Sequence, residues 1–229
     1  EYFIIEAGTM WNSILDILIR KAKAGVDVRL IYDDFGCIFR LPKDFVQQMA
    51  ALGIKVQRFH PIKPMLAPIM NYRDHRKLMI IDGHTGFTGG INLADEYINV
   101  VEKYGHWKDS AFLLKGEAVW SLTVMFLAMW EYLSGQPDNL DDFRPPFRED
   151  PVPTGGFVQP FADNPLDDET VSETVYINVI NRAKDYVYID TPYLILDSEM
   201  LTALCAAAKT GVDVRIATPH IPDKPLVHA

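Results

Sequence analysis

The chain has 229 residues, of which 48% are hydrophobic and 23% charged, with a formal net charge of −9. This is the balance of a globular protein with enough apolar material for one large core or two modest ones. The acidic excess argues against a general nucleic-acid binder, whose surface must be basic, and two cysteines with no Cys-x-x-Cys offer neither a disulfide framework nor a thiolate metal site.

No secretory signal is visible at the start of the sequence. The longest uncharged helical stretch, Ala118 to Trp130, falls short of the roughly 20 residues that span a bilayer.

Taken in order, Tyr2 to Ile5 reads as a strand. Met10 to Ala24 reads as an amphipathic helix, because Trp11, Ile14, Leu15, Leu18 and Ile19 recur at helical spacing. Gly25 ends it and Val26 to Tyr32 is the next strand. Leu41-Pro42 opens a second helix closed by Gly53, and Lys55 to Phe59 is a third strand. Strands alternating with helices predict an α/β fold with a largely parallel sheet. His60 to Met70 then breaks the rhythm. Its three prolines exclude a regular element, and Met65, Leu66, Ile69 and Met70 form either a greasy lip for an acyl chain or a loop packed on the core.

The stretch Asn71 to Asn92 concentrates the chemistry. It holds His75, Lys77 and Asp82 in the spacing H-x-K-x4-D, followed by Gly89, Gly90 and Asn92. Leu78 to Ile81 is a short apolar run with Asp-Gly behind it, a buried strand ending in a turn. Side chains two apart on a strand share a face, so His75 and Lys77 are expected to point into one space. An imidazole beside a fixed ammonium suits a phosphate ester: the lysine neutralises the oxygens while the ring attacks or protonates. Asp82 lies five residues from Lys77, which turns it to the other face, and Asp before Gly is also ordinary turn chemistry. From Lys55 to Lys77 six cations stand against Asp74 alone, either an anion-attracting surround or a solvated basic face.

After the motif, Ser110 to Leu114 is a strand and Val119 to Leu133 a long, mostly buried helix in which Trp120, Met125, Phe126, Met129 and Trp130 are core material. Gly135 to Asp150, rich in Pro, Asp and Asn, marks a boundary. Beyond it come a helix at Thr170 to Lys184, a strand at Tyr186 to Ile189, a helix at Ser198 to Lys209 and a strand at Val212 to Ala217. Lys23-Ala-Gly-Val-Asp-Val-Arg29 matches Lys209-Thr-Gly-Val-Asp-Val-Arg215, and Glu1 to Glu6 aligns with Asp185 to Asp190 at the same offset. The chain is therefore organised as a first half over 1–134, a linker over 135–154, and the start of a second copy over 155–229. The repeat places a second motif beyond Ala229 and a further helix before Glu1, so an internal piece of a longer protein is expected. His220 and His228 stand outside any H-x-K-x4-D context.

The motif resembles the HKD motif of the phospholipase D superfamily. The flanks N-Y-R-D-H-R-K and G-G-I-N-L-A-D-E-Y, and similarity from Tyr2 to Pro222, are closest to bacterial cardiolipin synthases. The resemblance implies a phospholipase D-like fold: a mostly parallel central sheet flanked by helices, in two repeated halves of which the second is incomplete here. It implies a phosphatidyltransferase that moves a phosphatidyl group between two phosphatidylglycerol molecules through a phosphohistidine and releases glycerol, without cofactor or metal. His75 is then the nucleophile, Lys77 and Asn92 hold phosphate oxygens, and Gly90 belongs to the same substrate-binding stretch. Asp109, in the W-x-D pattern, either orients the imidazole or is a plain strand-edge carboxylate. Asp82 counts in the motif. Tyr193, in T-P-Y-L-I-L-D, lines the pocket or packs in the core.

The implied partners are phosphatidylglycerol, other anionic phospholipids and a membrane surface, with no nucleic acid, and the implied location is the bacterial cell membrane through helices outside this chain. With one motif the piece is expected to be inactive unless a homodimer pairs two copies of His75. The alternatives are a phospholipase D-like phosphodiesterase or nuclease, or a non-catalytic phosphate-binding module.

Overall fold

In a computed structural model, residues 1–61, 72–146, 156–164 and 168–221 are described. The chain divides into two compact units, Glu1–Leu166 and Asp167–Ala229. The apolar loop expected over His60 to Met70 lies, apart from His60 and Pro61, outside the described residues.

In the first unit, helix α1 (Thr9–Lys23) lays its apolar stripe on the core through Trp11, with Ile14, Leu15, Leu18 and Ile19 packed around it. Its first amides are satisfied from far along the chain: Asp95 accepts Thr9 N at 2.9 Å and Met10 N at 2.8 Å. Strand β1 (Arg29–Asp33) runs into the four-residue helix α2 (Asp34–Cys37). Helix α3 (Phe45–Ala51) then leads back to strand β2 (Lys55–Phe59), which pairs with β1 in parallel from Arg29↔Lys55 to Asp33↔Phe59. Leu30 and Tyr32 face α1 and α3, and Ile31 faces the opposite side with Phe59, Met129 and Trp130. A strand covered on both faces reads as a continuous apolar run, and Leu-Ile-Tyr is one.

The expected strand at Tyr2 to Ile5 forms as two isolated bridges, Tyr2↔Tyr32 and Ile5↔Leu93, not as a ladder. Side chains break the ladder: Ile4 N donates to Asn92 Oδ1 at 3.0 Å and Ile5 N to Cys37 Sγ at 3.2 Å. The segment still lies between two partners, with Tyr2 N on Ile31 O at 3.1 Å on one side, and Leu78 N on Glu1 O at 2.9 Å and Glu6 N on Leu93 O at 3.0 Å on the other.

Strands β3 (Leu78–Ile81), β4 (Thr85–Gly89) and β5 (Ala111–Lys115) form an antiparallel meander, so the parallel order expected from the first part of the chain does not extend to them. For β3 and β4 the reason is the connection: Asp82, Gly83 and His84 are too few for a crossover. Asp82 and Gly83 take φ of 54° and 63°, and His84 N closes the turn on Ile81 O at 3.1 Å. Helix α4 (Val119–Ser134) covers the sheet, burying Val119, Leu122, Leu127, Met129 and Trp130.

The second unit repeats the pattern. Helix α5 (Val171–Arg182) precedes strand β6 (Tyr186–Asp190), and helix α6 (Ser198–Lys209) precedes strand β7 (Asp213–Ala217), which pairs with β6 in parallel. Ile180, Ala203, Leu204, Ala207 and Val212 form its core. The matched heptapeptides end a helix and open a strand in both copies, with Gly25 and Gly211 at φ of 88° and 98°. Among the described residues no helix is long and apolar enough to cross a membrane.

Candidate active site

Burial varies residue by residue in the segment before β3. Asp74 and Lys77 are buried, Arg76 is half-buried, and His75 is exposed. Its hub is Asp33, the last residue of β1 and fully buried. One oxygen of Asp33 caps α2 by accepting Phe35 N at 2.9 Å and Gly36 N at 3.1 Å, and the other accepts Asp74 N at 3.1 Å. Arg73 lies 3.5 Å from the same carboxylate. Burial pushes the Asp33 carboxyl up, while these amides and the guanidinium work against that shift.

Asp74 and Arg76 turn inward together. Arg76 Nε is 2.9 Å from Asp74 Oδ1 and Arg76 Nη2 is 2.8 Å from Glu1 Oε1. Burial, with a hydrogen bond shared with Asp74, raises the Glu1 carboxyl well above the ordinary carboxylate range. Burial also works against ionised Asp74, yet the bond from Glu1 and the Arg76 charge hold it below its ordinary value. The two shifts run in opposite directions, favouring the proton on Glu1 and the negative charge on Asp74, beside Arg76.

His75 and Lys77 turn to the other side. Lys77 Nζ sits 2.9 Å from His75 Nδ1, 3.4 Å from Nε2 and 2.6 Å from the His75 carbonyl oxygen. The Phe3 ring floors the pair, 4.7 Å from the imidazole and 5.7 Å from the ammonium. Burial lowers Lys77 to about 8, partly opposed by the charges of Asp74 and Asp109. The sharing of one space expected for His75 and Lys77 is thus found, and the ring is open to solvent rather than sealed in the core.

The other expected residues fall as follows. Asn92 is buried; its oxygen holds Ile4 N, and Nδ2 donates to Tyr97 Oη at 3.0 Å, which leaves one amide hydrogen for another partner. Asp109 is exposed, accepts Trp107 Nε1 at 3.1 Å and Ser110 N at 2.8 Å, and lies near enough to Lys77 to raise its proton affinity. Gly90 has a packing reason: a Cβ there would come within 2.4 Å of Asp109 Oδ1, and one at Gly89 within 2.7 Å of Ser110 O. Asp82 is exposed in the turn at the far end of β3 from Lys77, five residues and about 16 Å along the extended chain. Tyr193 belongs to the second unit, where its amide and carbonyl both meet Thr191 Oγ1.

Phe3, Asp33, Asp74 and Arg76 were not anticipated as site residues. Asp33 carried a readable signal, a carboxylate at the C-terminal end of a parallel strand, where α/β sheets gather functional groups. A cavity of about 640 Å³ bounded by Arg29, Ile54, Trp130 and Asp138 lies elsewhere, with none of the His75 group on its wall. In the second unit Glu173, Asp197 and Glu199 bring carboxylate oxygens within 4.8 Å of one another, a grouping the sequence spacing did not reveal, with Asp197 engaged in capping α6 through Met200 N.

Comparison with known proteins identifies the family. The family described as "Cardiolipin synthase, PLD-like domain" matches residues 2–130 and 176–229. An uncharacterized protein of Streptococcus mutans is 50% identical over 98% of this chain and 48% of its own length. A cardiolipin synthase of Alkalihalophilus pseudofirmus is 39% identical over 99% of this chain and 45% of its own length, and cardiolipin synthase 2 of Bacillus anthracis 38% identical over 98% and 43%. The chain thus spans a little under half the length of these relatives. The crystal structure of phosphatidylserine synthase from Haemophilus influenzae shares the fold, with a TM-score of 0.64 and 15% identity, covering 95% of this chain and 55% of that one. With the family matching most of the chain, the protein belongs to the phospholipase D-like domains of the cardiolipin synthase family.

Proposed function

We propose that this chain carries one half of a phosphatidyltransferase site of the cardiolipin synthase type, with His75 as the nucleophile. The imidazole nitrogen attacks the phosphorus of one phosphatidylglycerol, a P–N bond forms, and the P–O bond to the terminal glycerol breaks as that glycerol takes a proton from an acid. The hydroxyl of a second phosphatidylglycerol then attacks the same phosphorus. The P–N bond breaks, the proton returns to the former acid, and cardiolipin leaves. Splitting the displacement in two replaces one hard step by two easier ones. The acid and base is a second imidazole, from another motif or from a second copy of this one.

The observation that carries the reading is the exposed His75 ring lying 2.9 Å from a buried ammonium. A phosphate entering between them draws Lys77 off the ring and onto an equatorial oxygen, which frees the nitrogen to attack and leaves a preorganised charge where negative charge accumulates. The free Asn92 hydrogen is a second donor to the same group. Asp109 acts through Lys77, and Asp82 shapes the turn. The lipid-modifying names of the relatives favour phosphatidylglycerol over a soluble diester.

The test is thin-layer chromatography of labelled phosphatidylglycerol incubated with the complete protein, wild type against His75→Ala. Cardiolipin formed by the wild type and abolished by the substitution is expected. Undiminished cardiolipin overturns the assignment, and phosphatidate in place of cardiolipin makes the enzyme a hydrolase.

A further inference from the structure

We propose that Phe3 is a positioning residue for Lys77: its ring face steadies the ammonium without acting as a counterion, so that the positive charge stays open to an incoming phosphate. This rests on the reading of the His75 site as one that binds a phosphate ester. Lys77 Nζ lies over the Phe3 ring, 5.7 Å from its centroid, and the His75 ring lies 4.7 Å from the same centroid, tilted by 46°. At that range an aromatic face attracts a cation through its quadrupole. The face carries no net charge and no lone pair. His75 engages the ammonium twice, through its carbonyl oxygen at 2.6 Å and Nδ1 at 2.9 Å. An ammonium has three hydrogens, so one is left for a phosphate oxygen.

Lys77 needs such support. It is buried, and burial works against its charge, bringing it down to about 8. The titratable groups acting on it are His75, Asp74 and Asp109. Both carboxylates are committed elsewhere, Asp74 to Arg76 Nε at 2.9 Å and Asp109 to Trp107 Nε1 and Ser110 N. A carboxylate in the place of the ring would hold the ammonium more firmly, but it would also repel the oxygens of a phosphate. The ring supplies part of the stabilisation and leaves the net charge of the lysine whole.

Packing of the main core does not account for the ring. The core beneath α1 takes Tyr2 and Ile5 from this segment and not Phe3. The backbone that carries the ring is nonetheless held at each residue. Tyr2 N donates to Ile31 O at 3.1 Å, Ile4 N to Asn92 Oδ1 at 3.0 Å, and the Cys37 thiol to Phe3 O at 3.6 Å. Gly36 makes the room: a Cβ there would come within 2.1 Å of Phe3 O and 3.2 Å of Phe3 Cδ2. Asn92 thus fixes the residue next to the ring while its remaining amide hydrogen is open to the same phosphate. Ring, ammonium and amide form one frame.

The experiment replaces Phe3 in the full chain in two ways. Pentafluorophenylalanine keeps the outline of the ring and reverses the polarity of its face, whereas Phe3→Tyr keeps the face. NMR titration of carbon-labelled lysine, with the Lys77 signal identified by its loss in Lys77→Met, reports the ammonium without any turnover. The proton affinity of Lys77 is expected to fall at least about fivefold in the fluorinated protein and to stay within about twofold in Phe3→Tyr. Binding of a short-chain phosphatidylglycerol to the fluorinated protein is expected to match wild type at about pH 6. At about pH 8.5 it is expected to be at least about threefold weaker, because fewer molecules then carry the ammonium. An unshifted Lys77 overturns the proposal, as does a shift equally large in Phe3→Tyr or a loss of binding equal at the two pH values. The two readings fail separately. Lys77 shifted, with no cardiolipin formed by wild type, sinks the reaction alone. Lys77 unshifted, with cardiolipin formed by wild type and lost in His75→Ala, sinks the role of Phe3 alone.

Discussion

Asp33 accepts the backbone amide of Asp74 at 3.1 Å, joining residues 41 apart in sequence. The same carboxylate closes the N-terminus of α2, so one buried side chain positions both that helix and the histidine segment. Asp33→Ala removes the acceptor for three amides and is expected to cost about 3 kcal/mol in urea unfolding. Asp33→Asn keeps one acceptor oxygen and is expected to recover at least half of that loss. Equal losses for both variants would mean that charge, not acceptance, is what Asp33 supplies.

Lys77 gives a pH dependence whose sign is fixed by its burial. Its value in the fold is about 8 against an ordinary 10.5. Below pH 8 the folded and unfolded chains both carry the proton. Between 8 and 10.5 the unfolded chain binds more, so stability is expected to rise with pH across that window, by at most ~3 kcal/mol. Phosphate binding is expected to do the reverse, weakening above pH 8 as the ammonium is lost. Chemical unfolding at pH 7.5 and 10 checks the first, and titration with a short-chain phosphatidylglycerol the second. Lys77→Met is expected to flatten both profiles.

Arg76 neutralises the charge shared by Asp74 and Glu1. Arg76→Met leaves that charge buried without a counterion and is expected to destabilise by about 3 kcal/mol. Arg76→Lys cannot fork between two carboxylates and is expected to recover less than half of it. The checking measurement is the denaturation midpoint at constant m-value. A loss below about 0.5 kcal/mol for Arg76→Met would show that the pair does not depend on the guanidinium.

The third letter of the motif separates shape from chemistry. Asp82→Asn keeps a residue that tolerates positive φ and is expected to stay within about 0.5 kcal/mol of wild type with cardiolipin formation retained. Gly83→Ala puts a Cβ at φ 63° and 2.6 Å from Phe143 O, and is expected to cost about 1–3 kcal/mol. Loss of turnover in a stably folded Asp82→Asn would return Asp82 to the reaction.

The parts that could be read from sequence are those fixed by local period. The alternation of His75 and Lys77 put their side chains together, the 3.6-residue stripe of Trp11 to Ile19 gave α1, and the duplicated Gly-Val-Asp-Val-Arg exposed the repeat. The parts that could not be read depend on distant partners or on residues without a pattern. Strand β4 is Thr-Gly-Phe-Thr-Gly, whose glycines look like loop; Gly86 is there because a Cβ would come within 2.9 Å of Leu122. Helix α2 is too short for any period and shows its apolar face to solvent. Asn92 is legible from its spacing after the motif, yet its ties to Ile4 and Tyr97 come from the tertiary fold, as does the convergence of Asp33, Asp74, Arg76 and Glu1.

The segment Glu1 to Glu6 bonds β1 on one side and Leu78 and Leu93 on the other. During synthesis that second side has no partner until Leu78 and then Leu93 have left the ribosome, an interval of roughly 4–20 seconds at ordinary elongation speeds. Until then the nascent chain displays an open strand edge of Tyr-Phe-Ile-Ile, the kind of sequence that other chains pair with. Those few residues therefore carry an aggregation hazard while the later part of the chain emerges.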